Sequence, residues 1–322
     1  MRVLVVGAGA VGQVIGYHLR AAGAEVTFFV RPRHVDEVRQ GFTLFPLHVH
    51  WPRGTVDAVA LSDFSVVSRP EDVLAEDFDQ VYLAIPSTGL GGAWLGELLR
   101  ATGEATVVVF PTGPEDVATV RAAGLPESRT VEGMLSLVSY TAPMPGETRF
   151  AREGMAFWFP PLAPSLLSGP ADRAHAIATT LQRGGMPAKR LRDLARVRAY
   201  PIAVSSVWLL ALESVDWSFR ELFTGPACEL ASRGVVEATA VLSAEGLRPR
   251  FPLRAMGHPG ALRALVVVAT RIVPFPLETY VRQHFTKVGD QTRGTIRAIA
   301  ARGRDAGLSV ETLEQLADDS AT

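Results

Sequence analysis

Near the start of the chain, Gly7-Ala8-Gly9-Ala10-Val11-Gly12 has the spacing that brings backbone close to a phosphate. The first glycine permits a tight turn, the second clears a side chain from where a pyrophosphate would lie, and the third lets a helix pack closely. The opening N–H groups of that helix, those of Ala10 and Val11 among them, offer unsatisfied donors and a positive partial charge. Arg31 follows at the end of the next apolar stretch, with Arg33 and His34 beside it. Where NAD binds such a motif, an acidic residue at this point holds the ribose 2′-hydroxyl; an arginine pairs instead with a 2′-phosphate. The chemistry indicated is NADPH binding by Gly7, Gly9, Ala10, Val11, Gly12, Arg31 and Arg33.

The elements that must position these residues are legible around them. Val3 to Val6 is a continuous apolar run of the kind buried on both faces of a sheet. Val14, Ile15 and Leu19 follow at helical spacing, Gly23 ends that helix, and Glu25 to Val30 is a second apolar strand. Gln80 to Ile85 and Ala105 to Phe110 repeat the buried-strand signature, each followed by a helical segment. A nicotinamide would lie beyond the ends of these later strands, which brings in Pro86 and Ser87 after one and Thr112 and Gly113 after the other. Between Gly41 and Ser68 the short alternating stretches predict added strands or loops rather than another regular crossover. Val131 to Ser139 and Met155 to Phe159 predict antiparallel hairpins that extend the sheet. From about Asp193 the pattern is helical, and Tyr200 to Leu212 is apolar all round, as a central buried helix is. The fold class is therefore α/β, with a Rossmann-type NADP-binding domain over residues 1–192 and an all-α substrate and catalytic domain over residues 193–322.

Composition narrows the partners. The chain has 322 residues, 48% hydrophobic and 20% charged, enough for two cores, and a net charge of −1 lacks the basic excess of a nucleic-acid binder. Its most apolar late stretch, Ala264 to Pro276, is broken by Arg271 and two prolines. A spanning helix needs about 20 apolar residues, so no membrane partner is expected. Arg2 followed at once by a short apolar run and a glycine turn is not the form of a signal peptide, and Cys228 is a lone cysteine. A cytoplasmic location is expected. His48 and His50 alternate without further ligands, so no metal is expected, and no Gly-x-Ser-x-Gly elbow supports serine hydrolysis. Of the 32 basic residues only Lys189 and Lys287 are lysines, so 30 are arginines.

Together these features resemble the ketopantoate reductase (2-dehydropantoate 2-reductase) family. The resemblance is carried by Gly7-Ala8-Gly9-Ala10-Val11-Gly12 with Arg31, by Pro111-Thr112-Gly113 where the family has an Asn-Gly turn, by Ala203-Val204-Ser205-Ser206, and by Ala306-Gly307-Leu308-Ser309-Val310. It implies hydride transfer from NADPH to the ketone of a 2-keto acid, with a lysine on the first helix of the second domain as general acid and a glutamate on a late helix binding substrate. The lysine position falls at about Tyr200 or Pro201, and the glutamate position near Gln291 beside Asp290. A cofactor-side lysine is replaced at Pro86-Ser87, helix asparagines at Ser205 and about Leu209, and a substrate serine at Thr279.

With the lysine missing from its place, another proton donor is needed, since such a donor contributes about 10²–10⁴-fold in rate. Lys287 is the first candidate. Thr279, Gln283, Lys287 and Gln291 are spaced four apart, so on one helix they would share a face. Tyr200 is the second candidate, because a phenol also donates a proton. Ser205, Thr279, Gln283 and Gln291 are the expected substrate contacts. Ser205 and Ser206 can equally bond carbonyls one turn earlier. Glu213 and Asp216, near Trp208 and Trp217, could bind a cationic or aromatic substrate group. The function read from these residues is NADPH-dependent reduction of a 2-keto acid-like carbonyl or an imine, a small-molecule substrate, in an altered pocket. Ketopantoate reduction with displaced catalytic groups and a non-catalytic NADPH-binding protein are the alternatives. Helical second domains of this kind often pair, which leaves a homodimer open.

Overall fold

β-Branched and leucine side chains with no polar alternation suit a strand covered on both faces, and β1 (Arg2–Val6) is buried at every residue but the first. Helix α1 (Ala10–Ala21) leads from it to β2 (Glu25–Phe29), which lies parallel to β1 with Val3 opposite Val26. The structure, a computed structural model, describes residues 1–48, 55–111, 113, 115–248 and 253–318, apart from the side chains of Leu253 and Lys287. It divides into two units, Met1–Leu194 and Ala195–Thr322.

In the first unit the chain continues through α2 (Val35–Arg39), β3 (Phe42–Pro46), β4 (Val59–Leu61), β5 (Ser65–Val67) and α3 (Pro70–Leu74). Then come β6 (Gln80–Leu83), α4 (Ala93–Ala101), β7 (Thr106–Val109), α5 (Asp116–Ala122), β8 (Thr130–Met134), β9 (Val138–Ala142) and β10 (Gly154–Trp158). The unit closes with β11 (Ser165–Ser168), α6 (Ala171–Arg183) and β12 (Ala188–Arg190). The main sheet runs β12-β11-β8-β7-β6-β1-β2-β5. The six strands from β5 to β8 are parallel neighbours, and β11 joins β8 antiparallel. After β5 the chain crosses to the other side of β1, so strand order reverses between β1 and β6. That reversal leaves a crevice beyond the carboxyl ends of these two strands, the place where open α/β sheets bind ligands.

Two expectations are corrected here. β9 and β10 do not extend the main sheet; with β3 and β4 they form a separate four-stranded sheet in the order β4-β3-β10-β9. And β5, in the stretch read as added strands or loops, returns to the main sheet parallel to β2. The physical reason is α1. Val14, Ile15 and Leu19 share a core with the main sheet, while Tyr17 and His18 pack against Phe157 of β10, so the helix needs cover on two sides. Alternation in a strand reports that one face is buried, not which helix or sheet buries it.

The second unit is helical throughout its described residues: α7 (Leu194–Glu213), α8 (Phe219–Thr224), α9 (Pro226–Ala244), α10 (Pro259–Ile272), α11 (Leu277–Lys287), α12 (Gly289–Asp305) and α13 (Glu311–Asp318). α7 supplies Val204, Val207 and Ala211 to a core shared with Ala231, Ile296 and Leu313, which explains its apolar residues on all sides. Among the described residues no single helix is long and apolar enough to cross a membrane; α10 and α11 pass that test only as a pair bent by 108°.

Candidate functional site

The turn after β1 is built so that only glycine fits at two of its three motif positions. Gly7 has φ +98°, and a Cβ there would lie 2.7 Å from Ile85 Cγ2 and 2.8 Å from the Ala84 carbonyl oxygen. A Cβ on Gly12 would fall on the carbonyl oxygen of Gly7. Gly9 differs: its φ of −76° suits any residue, and a Cβ would meet nothing within 4 Å. What a side chain at Gly9 would fill is the open crevice itself. Gly9 is also the N-cap of α1 and provides no side-chain cap, so the first-turn N–H groups at Ala10 and Val11 keep their donor capacity. These residues fit a dinucleotide: Gly7 to Gly12 would hold its pyrophosphate, and the nicotinamide would supply the hydride acceptor or donor.

Gly7 and Gly9 open onto a cavity of about 1060 Å³. Arg31, Pro86 and His34 line it, and so does Trp94, whose indole stacks on Phe29 with centroids 6.1 Å apart and planes at 12°. The indole N–H donates to the Gly91 carbonyl at 2.9 Å, which sets the ring's position. Thr43, Thr141, Glu153 and Met155 of the second sheet and its approaches complete the lining. Arg33 does not line the cavity; its Nε donates to His34 Nε2 at 3.1 Å, and His34 Nδ1 donates to Glu37 at 3.3 Å.

Ser87 and Gly113 meet at one carboxylate. Ser87 Oγ and the Gly113 N–H each donate to Asp116 Oδ2 at 2.8 Å, and Asp116 is 5% exposed. Asp116 ties the loop after β6 to the loop after β7. Thr112, expected at the same place, lies outside the described residues, as does His50. Among the described residues no three His, Cys, Asp or Glu side chains are grouped as a metal site. Sequence reasoning missed Asp116, Trp94, His34's place in the lining and the wall from the second sheet. A carboxylate three residues past Gly113, at the start of a helix, was the available signal for Asp116.

In the helical unit the expected residues are dispersed. Tyr200 is buried in the core, 4% exposed, and its hydroxyl donates to the Arg254 carbonyl at 3.4 Å. Ser205 is exposed and donates to the Ile202 carbonyl at 3.1 Å. Thr279, Gln283 and Lys287 lie on α11, whose end at Lys287 breaks the expected four-residue face: Val288 intervenes and Gln291 stands on α12. The break places Gly289 against Arg293, where a Cβ would come within 2.8 Å of the guanidinium. The side chain of Lys287 lies outside the described residues. Glu213 pairs with Arg293 at 2.8 Å and Asp216 with Arg282 at 2.6 Å, so both carboxylates already have cations.

The first unit has the strand order and phosphate turn of a dinucleotide-binding Rossmann fold, followed in the chain by an all-α unit. Residues 3–67 match the family model described as ketopantoate reductase PanE/ApbA. No curated protein matches the chain. Among solved structures it is similar to 2-dehydropantoate 2-reductase from Geobacter metallireducens GS-15, at 16% identity and TM-score 0.70, over 98% of each chain. A PanE/ApbA family ketopantoate reductase from Ralstonia eutropha JMP134 is 21% identical with TM-score 0.68, over 98% of this chain and 96% of that one. D-mandelate dehydrogenase, solved with NADH and anilino(oxo)acetate, is 15% identical with TM-score 0.69, over 99% and 96%.

Proposed function

We propose that this chain is an NADPH-dependent reductase of a carbonyl, 2-keto acid-like, or an imine, related to ketopantoate reductase but with a changed substrate pocket. The observation that carries this is the crevice at the carboxyl ends of β1 and β6, where Gly9 leaves open space and Arg31 lines the cavity. The match of residues 3–67 to the ketopantoate reductase family supports it, as does a similar fold in a dehydrogenase solved with NADH and an oxo acid derivative. Arg31 at the end of β2 favours NADPH over NADH, because a guanidinium can pair with a 2′-phosphate. Lys287 is the proposed proton donor, since Tyr200 is enclosed by the helical core.

The test is direct. Purified protein is titrated with NADPH and then offered 2-keto acids, aldehydes, ketones and imines while absorbance at the NADPH band is followed. Binding with oxidation by one class supports the reductase; binding with no oxidation by any class favours a non-catalytic NADPH-binding protein. Lys287→Ala is expected to lower turnover with cofactor affinity nearly unchanged.

A further inference from the structure

We propose that Trp94 is the platform on which the adenine ring of the cofactor lies. The assignment rests on the NADPH-binding reading above, and it names the side chain that takes the base. In an open α/β sheet the pyrophosphate sits at the amino terminus of the helix after the first strand, and a residue just past the second strand meets the adenosine ribose. Gly9 and Arg31 occupy those two points, and both line the cavity. The base attached to that ribose therefore lies past Arg31, on the β2 and β5 side of β1. The cavity wall there includes Phe29 of β2, Ser68 and Pro70 after β5, and Trp94 of α4.

None of these four side chains carries a charge. An uncharged purine suits such a wall, because its flat apolar face gains contact with a flat indole. Trp94 is set for this before any ligand arrives. Its indole stacks on Phe29 with planes at 12°, and its N–H donates to the Gly91 carbonyl at 2.9 Å. Gly92 has φ +102°, and a Cβ there would come within 3.2 Å of the indole Cδ1, so glycine leaves the ring its place. With the N–H committed, the ring offers a ligand its face rather than a hydrogen bond. A ring already fixed on folding needs little further ordering on binding.

The experiment uses the full chain with NADPH and with adenosine 2′,5′-bisphosphate, which keeps the base, the ribose and the 2′-phosphate but has no nicotinamide. Trp94→Leu, apolar but not flat, is expected to weaken both about tenfold, within the range a base–aromatic stack contributes. Trp94→Phe keeps a ring and is expected to stay within about threefold of wild type. Stacking also quenches indole emission. Wild-type tryptophan fluorescence is therefore expected to fall on titration with the bisphosphate, and Trp94→Phe to bind it with no such fall. Should circular dichroism show Trp94→Leu unfolded, the fluorescence comparison of wild type with Trp94→Phe decides. Unchanged bisphosphate affinity in folded Trp94→Leu would overturn the inference, as would a fall in emission that persists in full in Trp94→Phe. Wild type that binds neither ligand overturns it together with the NADPH reading. A protein that shows the Trp94 effects yet oxidises NADPH with no carbonyl or imine supports the platform and refutes the reductase.

Discussion

Ser87, in the turn after β6, and Asp116, the first residue of α5 after the neighbouring parallel strand β7, are joined by a 2.8 Å hydrogen bond from the serine hydroxyl to a buried carboxylate. The same oxygen accepts from the Gly113 N–H at 2.8 Å. One side chain therefore holds two strand-end loops, next to Pro86 of the cavity lining. Asp116→Ala leaves both donors without this acceptor, and a hydrogen bond to a charged group contributes about 1.5–3 kcal/mol. A loss of about 2 kcal/mol in urea unfolding is expected, with Asp116→Asn recovering part of it.

Gly9 and Gly12 should fail in different ways. Gly9→Ala places its methyl in open space, so the variant is expected to keep wild-type stability while losing NADPH affinity by about tenfold or more. Gly12→Ala drives a methyl onto the Gly7 carbonyl oxygen, and it is expected to unfold at lower temperature as well. Equal melting temperatures for the two would contradict the turn geometry.

Arg31→Asp replaces a cavity-lining guanidinium with a carboxylate. NADPH affinity is expected to fall by about two orders of magnitude more than NADH affinity, by loss of a charge-assisted contact and gain of repulsion. Titrating each cofactor against the variant measures the difference; parallel losses would remove the 2′-phosphate from the reading.

His18 predicts a pH dependence of stability. Its Nδ1 donates to the Gly184 carbonyl at 2.7 Å, and its Nε2, buried among the rings of Tyr17, Phe157 and Phe159, has no hydrogen-bond partner among the described residues. Desolvation by this burial holds the imidazole below its ordinary value of 6.5, against the raising effect of the Gly184 bond. Below about pH 6.5 the unfolded chain takes up a proton that the folded one refuses, so stability is full above that pH and falls as the medium is acidified. Denaturant midpoints at pH 7.5 and pH 5 should differ less in His18→Phe than in wild type.

Much of the first unit was readable because its signals are local. Val3 to Val6 announces a doubly covered strand, and a glycine turn followed by Val14, Ile15 and Leu19 announces the helix it opens. Arg31 follows from position relative to that turn. The helical character of the second unit was equally plain. What local pattern could not carry was partnership. β8 and β9 are separated by three residues and belong to different sheets. The face imagined through Thr279, Gln283, Lys287 and Gln291 breaks at Val288, where Gly289 starts a new helix against Arg293 and Glu213.

By itself the sequence determined a Gly-x-Gly-x-x-Gly turn between strand and helix, the basic residue that follows it, and a helical second half nearly without lysine, because each is set by residue type and short-range spacing. Tertiary structure alone decided that Asp116 joins two loops, that the second sheet walls the crevice, and that Tyr200 is enclosed by the helical core. Those depend on residues far apart in the chain meeting while hydrophobic surfaces are buried, and burial is indifferent to the order in which the chain supplies them.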